Sequence, residues 1–176
     1  MDYVILVNER DEEVGAMEKM EAHRRGVLHR AFSIFVFDPA GRLLLQQRAL
    51  SKYHSGGLWT NTCCSHPRPG ESTDAAAARR LHEEMGFGCP LAHQFAFTYR
   101  APFANGLVEH ELDHVYFGEF AGEPKPNPAE VEAVRRVDLE TLRQEIAENA
   151  EKFTPWLRIC LGRVVEARGR FRGGNA

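Results

Sequence analysis

A thiol and an imidazole stand two residues apart in residues 61–67, Asn-Thr-Cys-Cys-Ser-His-Pro, which we predict to form a short polar turn. Cysteine supplies a proton donor or a nucleophile, and histidine supplies a metal ligand or a base. In extended backbone, Cys64 and His66 point to the same side and Cys63 points to the other. The spacing predicts a functional site at Cys64 and His66, but it does not specify the reaction.

Further side chains suitable for a divalent metal ion occur at two other places. His23 and His29 lie on either side of a glycine break, and Glu109 and Glu111 are two residues apart in a predicted extended segment. Both carboxylates then face one side. Together with His66 these residues suit a six-coordinate site for Mn²⁺, Mg²⁺ or Zn²⁺. The alternative is a set of dispersed surface histidines, since the chain has 8.

The predicted helix over residues 74–85 carries two pairs of opposite charges, Arg79 with Glu83 and Arg80 with Glu84. Each pair has the four-residue spacing of ion pairs on a solvated helix face. The run also resembles the Nudix box, which binds Mg²⁺-diphosphate. The residues in register are Glu71, Arg79, Leu81, Glu83, Glu84, Gly86 and Phe87, and the departures are Ser65 for the first glycine and Arg80 for a glutamate.

Four basic residues form a third candidate group, because they could clamp a diphosphate through charge-assisted hydrogen bonds. They are Lys19, Arg48, Lys52 and Arg80, and the alternative for them is ordinary surface charge. A fourth group combines the Cys64 thiol with the aromatic residues Trp59, Tyr99 and Trp156. An aromatic face stabilises a passing positive charge, although most tryptophans serve core packing instead.

The elements that must position these groups alternate irregularly between strands and helices. We predict strands at 3–7, 31–37, 42–47, 58–62, 95–99, 112–120 and 133–137, and helices at 18–25, 74–85, 139–150 and 155–167. Residues 31–47 read as a hairpin, 101–108 as a loop and 122–128 as a connector. The mixture predicts an α/β (α+β) fold with a mixed sheet flanked by helices. A single domain would span residues 1–167, followed by a disordered Gly/Arg-rich tail at 168–176.

Composition limits the possible classes of protein. The chain has 176 residues, 43% of them hydrophobic and 27% charged, which fits one globular domain. A net charge of −3 disfavours nucleic-acid binding. No apolar run approaches the length of a membrane span, and the N-terminus lacks the pattern of a signal peptide. Two of the 4 cysteines are adjacent, so we expect reduced thiols and a cytoplasmic location.

Taken together, the motifs resemble the Nudix-related type 1 isopentenyl diphosphate isomerases. The matching blocks fall in the family's order over residues 3–160. They are 22–23, 28–32, 48–52, 58–61, 64–67, 99–101, 109–111 and 155–156. The resemblance implies a Nudix-like sheet between helices. It also implies interconversion of isopentenyl and dimethylallyl diphosphate through a tertiary carbocation, in isoprenoid biosynthesis.

The resemblance implies a role for each candidate residue. Cys64 and Glu111 would exchange protons on opposite faces of the substrate, with Tyr99 assisting Glu111 and Trp156 facing the cation. A divalent ion (Mn²⁺, Mg²⁺ or Zn²⁺) would be held by His23, His29, His66, Glu109 and Glu111. Glu84 would hold a Mg²⁺ ion that arrives with the diphosphate, and the clamp would be Lys19, Arg48, Lys52 and Arg80.

The expected partner is a small allylic or homoallylic diphosphate, with no nucleic acid or membrane. We expect the chain to be a monomer or weak dimer.

Several alternative functions remain open at this point. The second candidate function is a Nudix hydrolase of a nucleoside or other diphosphate, which shares the fold but needs no thiol. A non-catalytic metal- or phosphate-binding module is a third. The resemblance does not decide which of Cys64 and Glu111 is the acid, nor which metal is native.

Overall fold

The computed structural model describes residues 2–171, which form nine strands and four helices around one sheet. The strands are β1 (Tyr3–Val7), β2 (Glu13–Glu18), β3 (His29–Phe37), β4 (Leu43–Arg48), β5 (Trp59–Thr60), β6 (Cys63–Ser65), β7 (Leu91–Pro102), β8 (Val108–Glu119) and β9 (Val131–Val137). The helices are α1 (Lys19–Arg25), α2 (Thr73–Met85), α3 (Leu139–Glu148) and α4 (Pro155–Phe171), with a 3₁₀ turn at Ala150–Lys152.

The sheet is mixed, and β3 lies at its centre. β3 pairs in parallel with β8 from His29↔Glu111 to Phe37↔Glu119, and the other strand pairs are antiparallel. β7 extends the sheet beyond β8, while β4 carries β9 and β5. The parallel register places the start of β3 beside the Glu109–Glu111 segment, so the predicted ligand His29 meets the predicted pair Glu109 and Glu111 at one end of the sheet.

Two hydrophobic layers cover the two faces of the sheet, as the alternation of side chains along β3 requires. Ile34 and Val36 pack under α2, against Ala77 and Leu81. Phe35 and Phe37 pack on the other face against α3 and α4, in a cluster that includes Leu142, Leu157 and Val164. A sheet sandwiched between helices was the predicted architecture, and the structure confirms it.

Local signals define the ends of the helices as predicted. The Ser72 side chain accepts a hydrogen bond from the backbone N–H of Ala75 and so caps α2 at its start. Gly86 ends α2 with φ +72°, and a Cβ atom added there would lie 2.2 Å from the Lys125 carbonyl oxygen. Asp138 caps α3 in the same way, and Pro155 begins α4.

Three predicted elements need correction. Residues 31–47 are a hairpin only at the turn, where Phe37 pairs with Leu43. Beyond it the strands diverge, because β8 and β6 take the two edges of β3. The predicted thiol turn is the strand β6, whose Ser65 pairs with Phe32. The predicted loop 101–108 is somewhat shorter, because Ala101 and Pro102 belong to β7 and Val108 belongs to β8, which leaves Phe103 to Leu107 as the hairpin tip.

Two further differences concern the termini. The strand β2 was missed because Glu13–Glu18 has no apolar alternation, being an edge strand with mostly exposed side chains. Helix α4 continues past residue 167 to Phe171, so the start of the predicted tail is helical. Arg168 is buried there and bonds Glu119 at 3.1 Å. Residues 172–176 lie outside the described residues. None of the helices within 2–171 has the length and apolar character of a membrane span.

Candidate active site

One pocket at the end of the sheet collects most of the predicted site residues. Its walls include Lys19, Arg48, Lys52, Cys64, His66, Arg80, Glu84, Tyr99, Glu109, Glu111 and Trp156. Two further candidates, His23 and His29, are fully buried beside it, against the Glu109 and Glu111 carboxylates. Trp59 does not line this pocket and packs against the hydrophobic cluster on the α3 and α4 side of the sheet. The sequence separations among these groups span most of the chain, so their convergence is a property of the fold.

Two buried histidines have a fixed tautomer. The Nδ1 atoms of His23 and His29 lie 2.7 Å and 2.8 Å from the carbonyl oxygens of Lys19 and Val27, and since a carbonyl only accepts, each Nδ1 must donate. Each Nε2 atom faces a carboxylate, His23 toward Glu109 at 3.8 Å and His29 toward Glu111 at 3.5 Å. Within the described residues neither Nε2 has a hydrogen-bond partner.

This arrangement fits a bound cation. A neutral imidazole lone pair that faces a carboxylate needs a proton or a metal ion between the two. The Nε2 atom of His66 lies 2.7 Å from a Glu111 oxygen. One donor atom each from His23, His29, His66 and Glu111 lies within 4.8 Å of the others, and Glu109 makes a similar group with His23. The five predicted ligands are therefore brought together and could hold a divalent metal ion.

The protonation tendencies of His66 and Glu111 suit metal binding. Burial lowers the pKa of His66 to about 4, which keeps its ring neutral at physiological pH. Burial and the neighbouring Glu109 carboxylate raise the pKa of Glu111, but its contacts with His29 and His66 outweigh them and hold the pKa below its usual value. Neutral imidazoles and ionised carboxylates are the forms that bind metals.

The two adjacent cysteines face opposite sides of β6, as predicted. Cys63 is fully buried in the layer beneath α2. Cys64 lines the pocket and packs in a cluster with Tyr99 and Trp156. Burial raises the pKa of the Cys64 thiol, and nearby Arg48 only partly opposes this. The thiol is therefore protonated at neutral pH, which suits a proton donor better than a nucleophile.

Tyr99 and Trp156 occupy fixed positions around that thiol. The Tyr99 hydroxyl donates to Glu111 at 2.7 Å and also contacts Glu109, and burial raises its pKa well above the usual value. The indole N–H of Trp156 donates to the Asn61 side-chain oxygen at 3.2 Å. This bond fixes the indole ring against the pocket wall. The chemical roles of Tyr99 and Trp156 stay predictions.

The four predicted clamp residues converge on the same pocket. The Arg48 guanidinium lies 5.3 Å from the centre of the Trp156 ring. Lys52 and Arg80 share the Glu130 carboxylate, and burial lowers the pKa of both Lys19 and Lys52. Four cationic groups around one cavity would attract a polyanion.

Helix α2 has surface ion pairs on one face and pocket residues on another, so both interpretations of its sequence apply. Arg79 pairs with Glu71 and Glu83 at 2.7 and 3.1 Å, near the surface. Arg80 instead turns inward to Glu84, which is buried and accepts a hydrogen bond from Gln46 at 3.0 Å. The predicted ion pairs therefore form, and one of them also brings a carboxylate and a guanidinium to the pocket.

Sequence reasoning missed two pocket residues, Tyr53 and His54. The His54 Nε2 atom lies 2.7 Å from a Glu109 oxygen, and the ring stacks on Phe103. The sequence feature that could have identified them is their position directly after Lys52, a predicted clamp residue. Their segment carries no periodic pattern, so its path across the pocket could not be read from the sequence.

Comparisons with known proteins agree with this geometry. The NUDIX domain profile matches residues 27–157. A crystal structure of a protein from Deinococcus radiodurans superposes with a TM-score of 0.78 and 24% identity, covering 92% of this chain and 98% of that one. The chain thus has the fold of the Nudix domain, with a thiol and a metal-ligand cluster in its pocket.

Curated relatives define the family more narrowly. An "Isopentenyl-diphosphate Delta-isomerase 1" of Aromatoleum aromaticum is 56% identical over 167 residues, covering 95% of this chain and 94% of that protein. An "Isopentenyl-diphosphate Delta-isomerase" of Burkholderia multivorans is 56% identical over 161 residues, covering 92% of each. The chain belongs to the isopentenyl-diphosphate Delta-isomerase family within the Nudix domain proteins.

Proposed function

We propose that this chain interconverts isopentenyl diphosphate and dimethylallyl diphosphate by moving a carbon–carbon double bond. The observation that carries the proposal is the meeting of Cys64, Tyr99 and Glu111 in a pocket walled by Trp156 and four cationic side chains. A Nudix hydrolase has no use for a protonated thiol that lines the pocket beside an indole. The high identity to proteins named as isomerases supports the same choice.

The chemical problem is the protonation of an unactivated alkene. Addition of a proton to the terminal carbon leaves a tertiary carbocation, and removal of a proton from the neighbouring carbon gives the isomer. The reaction needs a proton donor and an acceptor on the two faces of the substrate and exclusion of water. Cys64 and Glu111 are the proposed pair, and they exchange roles between the forward and reverse directions.

Tyr99 and Trp156 support that pair. Tyr99 hydrogen-bonds Glu111 at 2.7 Å, so it orients the carboxyl group and assists proton delivery. Trp156 presents an aromatic face whose quadrupole stabilises the passing positive charge. The bond from its indole N–H to Asn61 keeps the ring in place. Both aromatic residues are buried, which helps to keep water from the cation.

The rest of the pocket binds the charged end of the substrate. Lys19, Arg48, Lys52 and Arg80 form the diphosphate clamp, and Glu84 holds a Mg²⁺ ion that arrives with the diphosphate. His23, His29, His66, Glu109 and Glu111 hold a divalent ion, Mn²⁺, Mg²⁺ or Zn²⁺. When bound there, the ion withdraws charge from Glu111 and so sets its acidity. The expected cytoplasmic location and monomer or weak dimer stay predictions.

The direct test is incubation with isopentenyl diphosphate and Mg²⁺, followed by nuclear magnetic resonance of the products. We expect an equilibrium mixture with dimethylallyl diphosphate and no release of phosphate. A parallel panel of nucleoside diphosphates and other diphosphates tests the second candidate function. Phosphate release from that panel, with isopentenyl diphosphate unchanged, would favour the hydrolase.

A further inference from the structure

His54 is a buried histidine that lies in the pocket and has no role in the proposed reaction. It belongs to the segment between β4 and β5, and it is only 5% exposed. Its ring stacks on Phe103 with centroids 4.5 Å apart and meets the Trp156 ring edge-on at 5.9 Å. A titratable ring enclosed in this way needs a polar partner for its nitrogen atoms.

The partner of its Nε2 atom is a carboxylate of the metal-ligand cluster. Nε2 lies 2.7 Å from Oε1 of Glu109, yet this buried atom makes no directional hydrogen bond within residues 2–171. Its Nδ1 atom is 3.3 Å from the Ser55 hydroxyl, which leaves Nε2 as the atom that faces the carboxylate. In His23 and His29, too, Nδ1 lies beside a local oxygen and Nε2 is unbonded. There the oxygen is a carbonyl, which only accepts, whereas the Ser55 hydroxyl beside His54 can donate or accept.

The distances place His54 beside the metal-ligand cluster, in a group of close donor atoms that shares His23 with the group formed by His29, His66 and Glu111. One donor atom each from His23, His54 and Glu109 lies within 4.8 Å of the others. The rings of His23 and His54 are 5.9 Å apart and inclined by only 29°. Donor atoms around one ion, at about 2.0–2.2 Å from it, lie at most about 4.4 Å apart, which is compatible with this spacing.

Two hydrogen bonds hold the backbone around His54 in place. The Arg48 guanidinium donates to the His54 carbonyl oxygen at 3.2 Å, and the Asn105 side-chain amide donates to the Tyr53 carbonyl oxygen at 3.0 Å. One bond ties the segment to the end of β4, and the other ties it to the β7–β8 hairpin tip. The imidazole is thus presented to the pocket by a preorganised segment.

We infer that His54 is a sixth protein ligand of the divalent metal ion. The inference rests on the proposed function, because it extends the metal site that the isomerase uses. The complete set would be His23, His29, His54, His66, Glu109 and Glu111. Six side-chain donors would satisfy a six-coordinate ion without a substrate or water ligand. The ion would then influence the reaction only through Glu111.

The donor set also predicts a metal preference. Four imidazoles and two carboxylates are richer in nitrogen than the oxygen-rich sites that Mg²⁺ favours. The site would therefore select Zn²⁺, Mn²⁺ or another transition metal over Mg²⁺. Mg²⁺ would remain the ion that accompanies the diphosphate at Glu84. The nitrogen-rich ligand set and the Glu84 carboxylate would thus bind different metal ions.

Counting imidazole ligands tests the inference without any catalytic readout. We would load the full chain with one equivalent of Zn²⁺ in the absence of substrate and record X-ray absorption at the zinc edge. Four imidazoles are expected for the unchanged chain and three for both His54→Ala and His54→Gln. The glutamine variant keeps an amide that can bond Glu109, so it separates metal ligation from support of that carboxylate.

His110 provides the matched control. It lies between the two glutamates in sequence, but its Nδ1 atom bonds the Gly26 carbonyl oxygen at 3.0 Å, outside the pocket. We expect His110→Ala to keep four imidazoles. An unchanged imidazole count in His54→Gln would overturn the inference. The imidazole count is measured without substrate, so it does not depend on turnover. A count of four imidazoles in a chain that fails a separate isomerase assay would support the inference and refute the proposed function.

Discussion

At the scale of single residues, the face of β6 on which a cysteine side chain lies determines whether it can contact a substrate. Cys63 and Cys64 are neighbours, but Cys63 is sealed in the core beneath α2 whereas Cys64 faces the pocket. Burial raises the pKa of both thiols, so neither is an ordinary thiolate nucleophile. Only Cys64 can reach a substrate, and it does so as a protonated group.

Replacing the two cysteines in turn tests this assignment. Cys64→Ala removes a proposed proton-transfer group and should lower kcat by about 100- to 10,000-fold. Cys63→Ala should keep most of the turnover and instead lower Tm, because it leaves a small cavity in the core. The measurement is steady-state isomerisation alongside thermal unfolding. An equal loss of kcat in both variants would refute the assignment.

Arg80 is the residue in which this chain departs most informatively from the Nudix box. A guanidinium replaces a carboxylate there and lines the pocket beside Glu84. Loss of a hydrogen bond to a charged group costs about 1.5–3 kcal/mol, so Arg80→Gln should raise KM for isopentenyl diphosphate by about 10- to 100-fold. Arg143→Gln, on the exposed face of α3 and paired with Glu140, is the control and should leave KM unchanged. A KM that does not respond to Arg80→Gln would remove it from the clamp.

At the scale of elements, an ion pair between Arg79 and Glu71 connects helix α2 to the loop before it. Glu71 accepts two hydrogen bonds from Arg79, at 2.7 and 2.8 Å, and one from the backbone N–H of Arg68 at 3.0 Å. The loop carries the chain from His66 to the helix that bears Arg80 and Glu84. The pair therefore connects the metal-ligand end of β6 with the diphosphate side of the pocket.

The same pair predicts a pH dependence of stability. The Arg79 hydrogen bond lowers the pKa of Glu71 from 4.5 to about 2. A lowered pKa contributes stability that is complete above pH 4.5 and disappears as the pH falls toward 2. The difference in free energy of unfolding between the unchanged chain and Glu71→Gln should therefore shrink between those values. Urea unfolding at several pH values measures it, and a constant difference would contradict the prediction.

Much of this element structure could be predicted, and the failures have physical causes. Strong local signals located α2 and α3, since Ser72, Gly86 and Asp138 act within one turn of the helix ends. The hairpin over residues 31–47 was wrong because strand pairing beyond a turn depends on distant partners. β8 and β6 compete for the edges of β3, and no local pattern reveals them. β2 was missed because an exposed edge strand lacks alternation.

At the scale of the whole molecule, the site is assembled from separate parts of the chain. The metal-ligand cluster joins α1, the start of β3, the end of β6 and β8, and Trp156 comes from α4. Residue types and family motifs identified its members, but the sequence could not supply their distances. His54 was missed for that reason, since only the folded chain brings it to Glu109.

A metal ion held by several elements should stabilise the fold. Binding to the folded state adds about 2.7 kcal/mol when the metal is at 100 times its Kd. For a domain of this size, that corresponds to a rise in Tm of about 5–10 °C. Differential scanning fluorimetry with Mn²⁺ or Zn²⁺ measures the rise, and a chelator should reverse it.

His29→Ala supplies the contrast for that measurement, because it removes a buried ligand from the centre of the cluster. We expect it to lose the metal-dependent rise in Tm, whereas His110→Ala, outside the pocket, should retain it. The same rise in all three proteins would show that the metal stabilises the chain at another place.

The central claim is that Cys64 and Glu111 move a proton onto and off the substrate. Incubation with isopentenyl diphosphate and Mg²⁺ in D₂O measures this directly by mass spectrometry of the product. We expect deuterium in dimethylallyl diphosphate, no incorporation with Cys64→Ala or Glu111→Gln, and normal incorporation with Cys63→Ala. Product that forms without deuterium, or incorporation that persists in Cys64→Ala, would contradict the account.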